Sequence, residues 1–292
     1  MHNIDEHTIT RAVLDSLAGC SDARLHTVLS SLVQHLHAFA REVKLTEEEW
    51  FAGIRFLTEV GHKTDDKRQE FILLSDTLGL STLVTAQNNH RPAGCTEATV
   101  FGPFFVEGAP VIDHGADIAQ GAQGEPCYVS GVVQALGGAR VAGAQIDVWQ
   151  SDEEGFYDVQ RADLAQHQAR ARLVTRADGS FDFKSILAVP YQIPSDGPVG
   201  QMLSSVGRHA WRPAHLHFMI VAPGYERLIT HLSRSDGPYL DSDAVFGVRS
   251  TLVTDWMRHE AGPSPDGQRS DRPFYTLDHR FVLNPSTAAK TA

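Results

Sequence analysis

Two histidines separated by a single residue, His215 and His217, are the first candidates for chemistry in this chain. They alternate with apolar residues in the segment Ala214-His215-Leu216-His217-Phe218, so we predict a β-strand that carries both imidazoles on one face. Side chains in this arrangement start about 7 Å apart and can turn toward one metal ion. The pair alone is weak evidence for a metal site, because the chain contains 15 histidines.

Two of the six tyrosines also stand in unusual positions. Tyr157 lies in a loop after the predicted strand 145–150, and Tyr191 lies in an extended segment restricted by Pro190 and Pro194. Neither position identifies a function by itself, since a packed tyrosine with a hydrated hydroxyl is the commoner arrangement. The residues alone therefore leave both a packing role and a chemical role open.

The elements that must position these side chains begin with helices over roughly the first 90 residues, where apolar residues recur at three- and four-residue steps. The segment Thr46-Glu47-Glu48-Glu49 predicts a capping box that begins one helix. A later helix from Phe71 is predicted to break at Gly79 and to resume as far as Val84. The clearest amphipathic stripe consists of Leu25, Leu29, Leu32, Leu36, Phe39 and Val43.

Beyond residue 92 the pattern is typical of short strands. Asp178-Gly179 predicts a hairpin between two of them, and Gly-Pro within residues 100–105 indicates a loop or an edge. We therefore predict an α+β protein, with a helical region in residues 1–92 followed by an antiparallel β-sandwich in residues 93–292. The predicted strands are 128–133, 145–150, 171–175, 181–183, 214–221 and 278–283.

Composition excludes several classes of protein. A net charge of −11 without a basic run argues against a nucleic-acid partner. No apolar run approaches the roughly 18 residues of a membrane span, and the N-terminus lacks the pattern of a signal peptide. Three well-separated cysteines, Cys20, Cys95 and Cys127, indicate free thiols in a reducing compartment. We therefore expect a cytoplasmic protein.

Four motifs together resemble the intradiol ring-cleavage dioxygenases, the non-haem iron(III) enzymes that open catechols between their hydroxyls. The motifs are Gly155-Phe156-Tyr157, Pro190-Tyr191, Arg212-Pro213-Ala214-His215-Leu216-His217-Phe218 and Ala222-Pro223-Gly224-Tyr225. The resemblance implies one Fe(III) per subunit, with Tyr157, Tyr191, His215 and His217 as its ligands. Phenolate is a hard, anionic ligand that favours iron(III), and imidazole also suits iron.

The same resemblance implies roles for further residues. Tyr191 would leave the metal when substrate binds and accept a substrate proton. Arg212 would stabilise negative charge on the ring as it is oxidised. His231, sixteen residues after His215, would donate a hydrogen bond next to the metal, although a partly exposed strand histidine explains it equally well.

Three segments most resemble the branch that cleaves hydroxyquinol, 1,2,4-trihydroxybenzene, with O2 to 3-hydroxy-cis,cis-muconate and hence maleylacetate. They are residues 73–79, 100–105 and 241–248. By itself Asp76 is explained as an exposed or locally hydrogen-bonded helix residue. The resemblance instead places it against the third ring hydroxyl, which plain catechol lacks. The implied substrate pocket consists of Leu73, Asp76, Val100, Phe101, Gly102, Pro103 and Val245.

Several alternatives remain at this point. The substrate can be catechol or a substituted catechol, which would give cis,cis-muconates. A cupin-type iron(II) enzyme also uses paired histidines, a zinc hydrolase can use His215, His217 and His231, and a metal-free transthyretin-like sandwich would be a binding module. The resemblance favours the dioxygenase and further implies a homodimer formed through the N-terminal helices, with phospholipid between the subunits.

Overall fold

A computed structural model describes residues 3–65, 68–161, 164 and 166–286 of the chain. The chain separates into two compact units, Met1–Glu59 and Val60–Ala292. The predicted division after residue 92 stays a prediction. No helix within the described residues is both long and apolar enough to cross a membrane.

The first unit is helical. It contains α1 (Ile9–Ser16), α2 (Ala23–Glu42) and the start of α3 (Glu47–Lys63). The predicted capping box is confirmed, because the Glu49 amide donates to Thr46 Oγ1 and the Thr46 amide donates to Glu49 Oε2. All residues of α2 are described and none of them is buried. Its large apolar side chains are exposed: Leu25, Val28, Leu32, Leu36 and Phe39.

The second unit begins with two short helices, α4 (Glu70–Thr77) and α5 (Leu80–Asn88). Gly79 separates them with φ of +76°, a left-handed conformation that glycine adopts without steric cost, so the predicted helix break is confirmed. The inner face of α4 buries Leu73 and Asp76. The helix α4 therefore presents a carboxylate to the interior.

The rest of the unit consists of strands and one further helix, α6 (Pro198–Ser205). Residues 100–105 form no strand, as the Gly-Pro pair predicts. The strands are β1 (Pro126–Ala135), β2 (Gln145–Trp149), β3 (Arg170–Val174), β4 (Ser180–Ile186), β5 (Tyr191–Gln192), β6 (Trp211–Arg212), β7 (His215–Val221), β8 (Leu228–Arg234), β9 (Val253–Thr254), β10 (Met257–His259), β11 (Gly262–Pro263), β12 (Arg269–Ser270) and β13 (Phe274–Leu283).

Two sheets contribute to one apolar core. One has the strand order β3-β2-β7-β8-β9 and the other has the order β10-β13-β1-β4. Inward-facing residues such as Ile146 and Phe218 from the first sheet and Val129 and Phe181 from the second belong to the same buried cluster. The predicted α+β class with a two-sheet domain is confirmed.

The sheets are mixed, whereas we predicted antiparallel sheets. β13 runs parallel to β1, and β9 runs parallel to β8. Parallel pairing requires a long connection between the two strands, and β13 follows β1 only after the whole remainder of the domain. Local sequence patterns cannot reveal the direction of such a distant partner.

The predicted hairpin around Asp178-Gly179 is wrong in one respect. A tight turn is present, since the Arg176 amide donates to Ser180 O and the Gly179 amide donates to Arg176 O. However, β3 pairs with β2 whereas β4 pairs with β1, so the turn carries the chain from one sheet to the other. Turn residues fix the reversal of the chain but not the pairing of the strands that follow.

Candidate metal centre

The two histidines of β7 converge as their spacing predicts. Both side chains are buried, and His215 Nε2 lies 3.0 Å from His217 Nε2. Two metal–imidazole bonds of about 2.1 Å that meet near a right angle place their nitrogens about 3 Å apart. The observed separation therefore fits two neighbouring ligands of one ion.

Their surroundings favour the neutral form that a metal ligand requires. Burial lowers the pKa of both imidazoles well below the usual value, and the Arg212 charge lowers that of His215 further. His215 Nδ1 lies 2.7 Å from the Pro213 carbonyl oxygen, which can only accept a hydrogen bond. The proton of His215 is thus held on Nδ1, and the lone pair of Nε2 faces the site.

Tyr157 and Tyr191 lie next to this pair. Tyr191 is in β5, whose register places it opposite Arg212 in β6. Tyr157 begins a short 3-10 turn, Asp158–Gln160, where its amide donates to Gln160 Oε1. The four rings form a closed cycle of neighbours, with centroid distances of 5.4 Å (Tyr157–Tyr191), 5.5 Å (Tyr191–His215), 4.7 Å (His215–His217) and 6.4 Å (His217–Tyr157).

The Tyr157 hydroxyl supplies an independent sign of a missing partner. Its side chain is 0 % exposed, and its Oη has no hydrogen-bond partner among the described residues. A buried polar group without a partner is costly and rare in folded proteins. Burial and the neighbouring Tyr191 raise the pKa of Tyr157 well above its usual value, so a phenolate there needs a compensating cation. The donor set of two neutral imidazoles and two phenols fits a highly charged, hard ion.

Arg212 is a fixed, buried cation at the edge of the cycle. Its Nη1 lies 3.2 Å from Tyr191 Oη and 3.4 Å from His215 Nε2, while Nε and Nη2 donate to Asp243 at 3.0 and 3.3 Å. Burial acts to lower the pKa of the guanidinium, but Asp243, Tyr191 and Tyr157 act together in the opposite direction and the pKa is raised. The guanidinium therefore presents one nitrogen toward the rings.

His231 lies opposite His217 in the register of β7 and β8, and its ring centroid is 4.7 Å from that of His215. It is 1 % exposed, so the interpretation as a partly exposed histidine is wrong. Its Nδ1 lies 2.8 Å from Thr99 Oγ1, and its Nε2 has no partner among the described residues. Burial lowers the pKa of His231 to about 3. No group of three or more His, Cys, Asp or Glu side chains that could hold a metal ion is found in the described part of the chain.

Comparison with known proteins agrees with this geometry. A family model described as "Dioxygenase" matches residues 100–285, and one described as "Catechol dioxygenase N terminus" matches residues 22–96. The chain belongs to the intradiol ring-cleavage dioxygenases. The first model matches the part of this dioxygenase that contains the strands, and the second matches the helical part that precedes it.

Its relatives include proteins of similar length. The chain is 55% identical over 286 residues to the 6-chlorohydroxyquinol 1,2-dioxygenase of Cupriavidus pinatubonensis, covering 98% of this chain and 100% of the relative. It is 50% identical to the hydroxyquinol 1,2-dioxygenase of Nocardioides simplex, with 96% of each chain covered. The crystal structure of hydroxyquinol 1,2-dioxygenase from Pseudomonas putida matches with a TM-score of 0.90 and 47% identity, covering 96% of this chain and 99% of that one.

A cleft of about 860 Å³ opens next to Tyr191 in the dioxygenase. Of the predicted pocket residues, Leu73 and Pro103 line it. Other lining residues come from the Tyr157 loop and from the residues on either side of β5, namely Gly155, Phe156, Pro190 and Ile193. The cleft therefore leads directly to two of the predicted ligand segments.

The other predicted pocket residues do not line this cleft. Gly102 has φ of +75°, and its Cβ position would be 3.7 Å from His217 Cε1. Phe101 packs edge-on against Trp149, with centroids 6.0 Å apart. Val100 and Val245 are buried, and the Val245 amide donates to Asp243 Oδ1 at 3.3 Å.

Asp76 is buried in α4, so it is not an exposed helix residue, whereas a local hydrogen bond, the other interpretation, is present with Ser81. Burial raises the pKa of its carboxyl, while a hydrogen bond with Ser81 and the charge of Arg212 act in the opposite direction. The charge of Asp243 raises the pKa further, which indicates that these three charged groups share one region of the interior.

Three residues of the dioxygenase site had no predicted role. Trp149 stacks on His217 at 4.8 Å with an interplanar angle of 3°, Thr99 contacts His231, and Asp243 holds Arg212. Trp149 ends a clearly alternating strand, but its contact depends on the pairing of β2 with β7. Asp243 lies within a recognisable segment, yet nothing in that segment indicates a partner 31 residues away.

Proposed function

We propose that this dioxygenase cleaves hydroxyquinol with O2, between its adjacent hydroxyls, to 3-hydroxy-cis,cis-muconate, whose keto form is maleylacetate. The closed cycle formed by Tyr157, Tyr191, His215 and His217 beside Arg212 carries this proposal. Two relatives, a hydroxyquinol 1,2-dioxygenase and a 6-chlorohydroxyquinol 1,2-dioxygenase, support the choice of substrate.

The four cycle residues are proposed to hold one Fe(III) per subunit. Bound there, iron(III) would withdraw electron density from a chelated diol and make its ring reactive toward O2. The two imidazoles remain neutral ligands because burial disfavours their protonation. The two phenols supply the negative charge that a 3+ ion requires in a buried site.

Tyr191 and Arg212 are proposed to manage protons and charge during cleavage. Tyr191 takes a substrate proton when the diol binds, and Arg212 Nη1, 3.2 Å from the Tyr191 hydroxyl, is in place to hold that ring. The same nitrogen lies beside His215 and stabilises negative charge that develops on the substrate ring. His231, whose Nε2 lacks a partner among the described residues, donates a hydrogen bond next to the ion.

Asp76 is proposed to recognise the third ring hydroxyl. Its carboxyl is buried beside the region of Arg212 and Asp243. Hydroxyquinol can satisfy this carboxyl, whereas catechol would leave it without a partner from the substrate. An unpaired buried polar group is the usual source of strong discrimination between such analogues. Leu73, Val100, Phe101, Gly102, Pro103 and Val245 would form the surrounding wall.

A homodimer in the cytoplasm is the proposed state of the enzyme. The apolar side chains of α2, including Leu32, Leu36 and Phe39, are about half exposed, and a second copy of the chain with phospholipid between the subunits would cover them. The three free cysteines suit a reducing compartment. Leu36→Glu should shift the mass measured by light scattering from dimer to monomer, whereas Glu42→Lys at the end of the same helix should not.

An anaerobic visible spectrum of the iron-loaded protein tests the proposed centre. A broad tyrosinate-to-iron(III) band that changes on addition of hydroxyquinol is expected. Parallel titration with catechol should need a higher concentration for the same change. A colourless protein with one iron per chain would contradict the two-tyrosine centre, and equal turnover of both diols would contradict the choice of hydroxyquinol.

A further inference from the structure

Asp243 is the most heavily bonded carboxylate around Arg212. Oδ1 accepts from Arg212 Nε at 3.0 Å and from the Val245 amide at 3.3 Å. Oδ2 accepts from Arg212 Nη2 at 3.3 Å and from the Gly247 amide at 2.8 Å. Each oxygen thus bonds to the arginine and to the backbone of the loop 243–247.

This arrangement determines which guanidinium nitrogen faces the metal centre. Asp243 occupies Nε and Nη2, so Nη1 is the nitrogen left to approach Tyr191 Oη and His215 Nε2. Bidentate pairing with a carboxylate fixes the plane of a guanidinium as well as its position. The direction of the cation toward the centre is therefore set by Asp243.

Gly247 closes the loop against the same pair. A Cβ at this position would lie 2.8 Å from Arg212 Nη2, 3.1 Å from Asp243 Oδ2 and 3.3 Å from His231 Cε1. The backbone of the loop thus packs directly on the arginine, on the carboxylate and on His231. Val245, which the loop also carries, has its carbonyl oxygen bonded to Thr82 Oγ1 of α5.

We propose that Asp243 is a positioning residue that aims Arg212 at the metal centre and couples this arginine to the loop that carries Val245. The inference rests on the proposed function, because Arg212 must stabilise charge in ring cleavage. Asp243 itself does not contact the reacting atoms. It acts by holding the guanidinium plane so that Nη1 points toward Tyr191.

Replacement by asparagine breaks this arrangement whichever way the amide is turned. The amide NH2 then faces one arginine donor and one backbone donor, so two of the four hydrogen bonds are lost. Because the changed contact acts on charge that develops during the reaction, kcat of Asp243→Asn should fall about 10- to 100-fold with KM changed much less. Iron content and the visible band of the resting enzyme should be retained.

The matched control is Asp241→Asn, which removes an exposed carboxylate from the same loop region and should keep wild-type kcat. Asp243→Glu is the second variant, because it keeps a buried anion opposite Arg212 while moving it by one methylene group. Its kcat should also fall. Wild-type kcat in either Asp243 variant would overturn the proposal. In Asp243→Glu it would mean that a negative charge in any position supports Arg212, and in Asp243→Asn it would mean that a side chain of the same size is enough.

A double-mutant cycle with Arg212→Gln separates positioning from general structural support. If Asp243 acts through Arg212, Arg212→Gln/Asp243→Asn should have the same kcat as Arg212→Gln alone. Losses that multiply would overturn the proposal. If Arg212→Gln is impaired and Asp243→Asn is not, only the positioning role fails. If the iron-loaded wild-type enzyme cleaves no diol, the proposed function fails and this inference fails with it.

Discussion

Replacement of Gly155 by alanine should displace the tyrosines of the proposed metal centre. Gly155 has φ of +86° and lies two residues before Tyr157. A Cβ at this position would lie 2.8 Å from Tyr191 Cβ and 3.4 Å from Tyr191 Cα. Carbon atoms pack at about 3.5–4.0 Å, so the two segments must separate by about 0.7 Å or more.

The cost has two parts. Alanine in the left-handed region costs about 1–2 kcal/mol, and the enforced shift in a packed site costs about 1–3 kcal/mol more. Gly224→Ala isolates the first part, because Gly224 has φ of +82° and no described atom lies within 4 Å of its Cβ position. Gly155→Ala should therefore lose about 1–3 kcal/mol more free energy of unfolding than Gly224→Ala.

The functional loss should be larger than the stability loss. A displacement of about 1 Å between groups that take part in a reaction can lower the rate about 100-fold. For Gly155→Ala, kcat/KM for hydroxyquinol should therefore fall about 10- to 100-fold. The assay combines urea unfolding, iron content, the visible spectrum and steady-state kinetics of both variants. Equal stability and equal activity in Gly155→Ala and Gly224→Ala would refute the reasoning that Gly155 sets the spacing of the two tyrosine segments.

Three further predictions follow from other residues. Asp76→Asn should lower the ratio of kcat/KM for hydroxyquinol to that for catechol about tenfold, and an unchanged ratio would remove Asp76 from substrate selection. Metal-free Tyr157→Phe should be at least as stable to heat as the metal-free wild type, because the hydroxyl that it loses is buried without a described partner. The affinity of this variant for iron should nevertheless fall, which dialysis against a chelator would measure. Burial lowers the pKa of His279 to about 4 in the folded chain, against about 6.5 when unfolded, so the unfolded state takes up the proton first as pH falls. The free energy of unfolding should decrease between pH 6.5 and 4, by about 2 kcal/mol at pH 5. In urea titrations at several pH values, His279→Gln should reduce this dependence on pH. The same dependence in the variant and the wild type would contradict the assignment to His279.

Features set by neighbouring residues could be predicted from the sequence. The convergence of His215 and His217 follows from the two-residue period of a strand, and the Thr46–Glu49 capping box and the break at Gly79 follow from local backbone chemistry. The ring cycle brings together four residues that the family resemblance had named as ligands. Their role as ligands stays a prediction, although the distances between them support it.

Features set by distant partners could not be predicted. The turn at Gly179 joins two sheets, and β13 lies parallel to β1, because pairing depends on how the whole core is filled. The stacking of Trp149 on His217 and the pairing of Asp243 with Arg212 likewise depend on tertiary registers. A sequence pattern shows which side chains point inward but not which of them meet.

The pairing of Tyr191 with Arg212 in the short ribbon of β5 and β6 has a consequence for how this enzyme can diversify. The two residues are joined by the segment 193–210, whose beginning, Ile193 to Asp196, lines the cleft. Because the ribbon closes this segment at its base, insertions or deletions within it can reshape the cleft mouth while the two side chains stay opposite each other. A slip of one residue in the ribbon itself would turn one of them to the other face. Evolution can therefore alter the mouth of the cleft without changing the pairing of Tyr191 with Arg212.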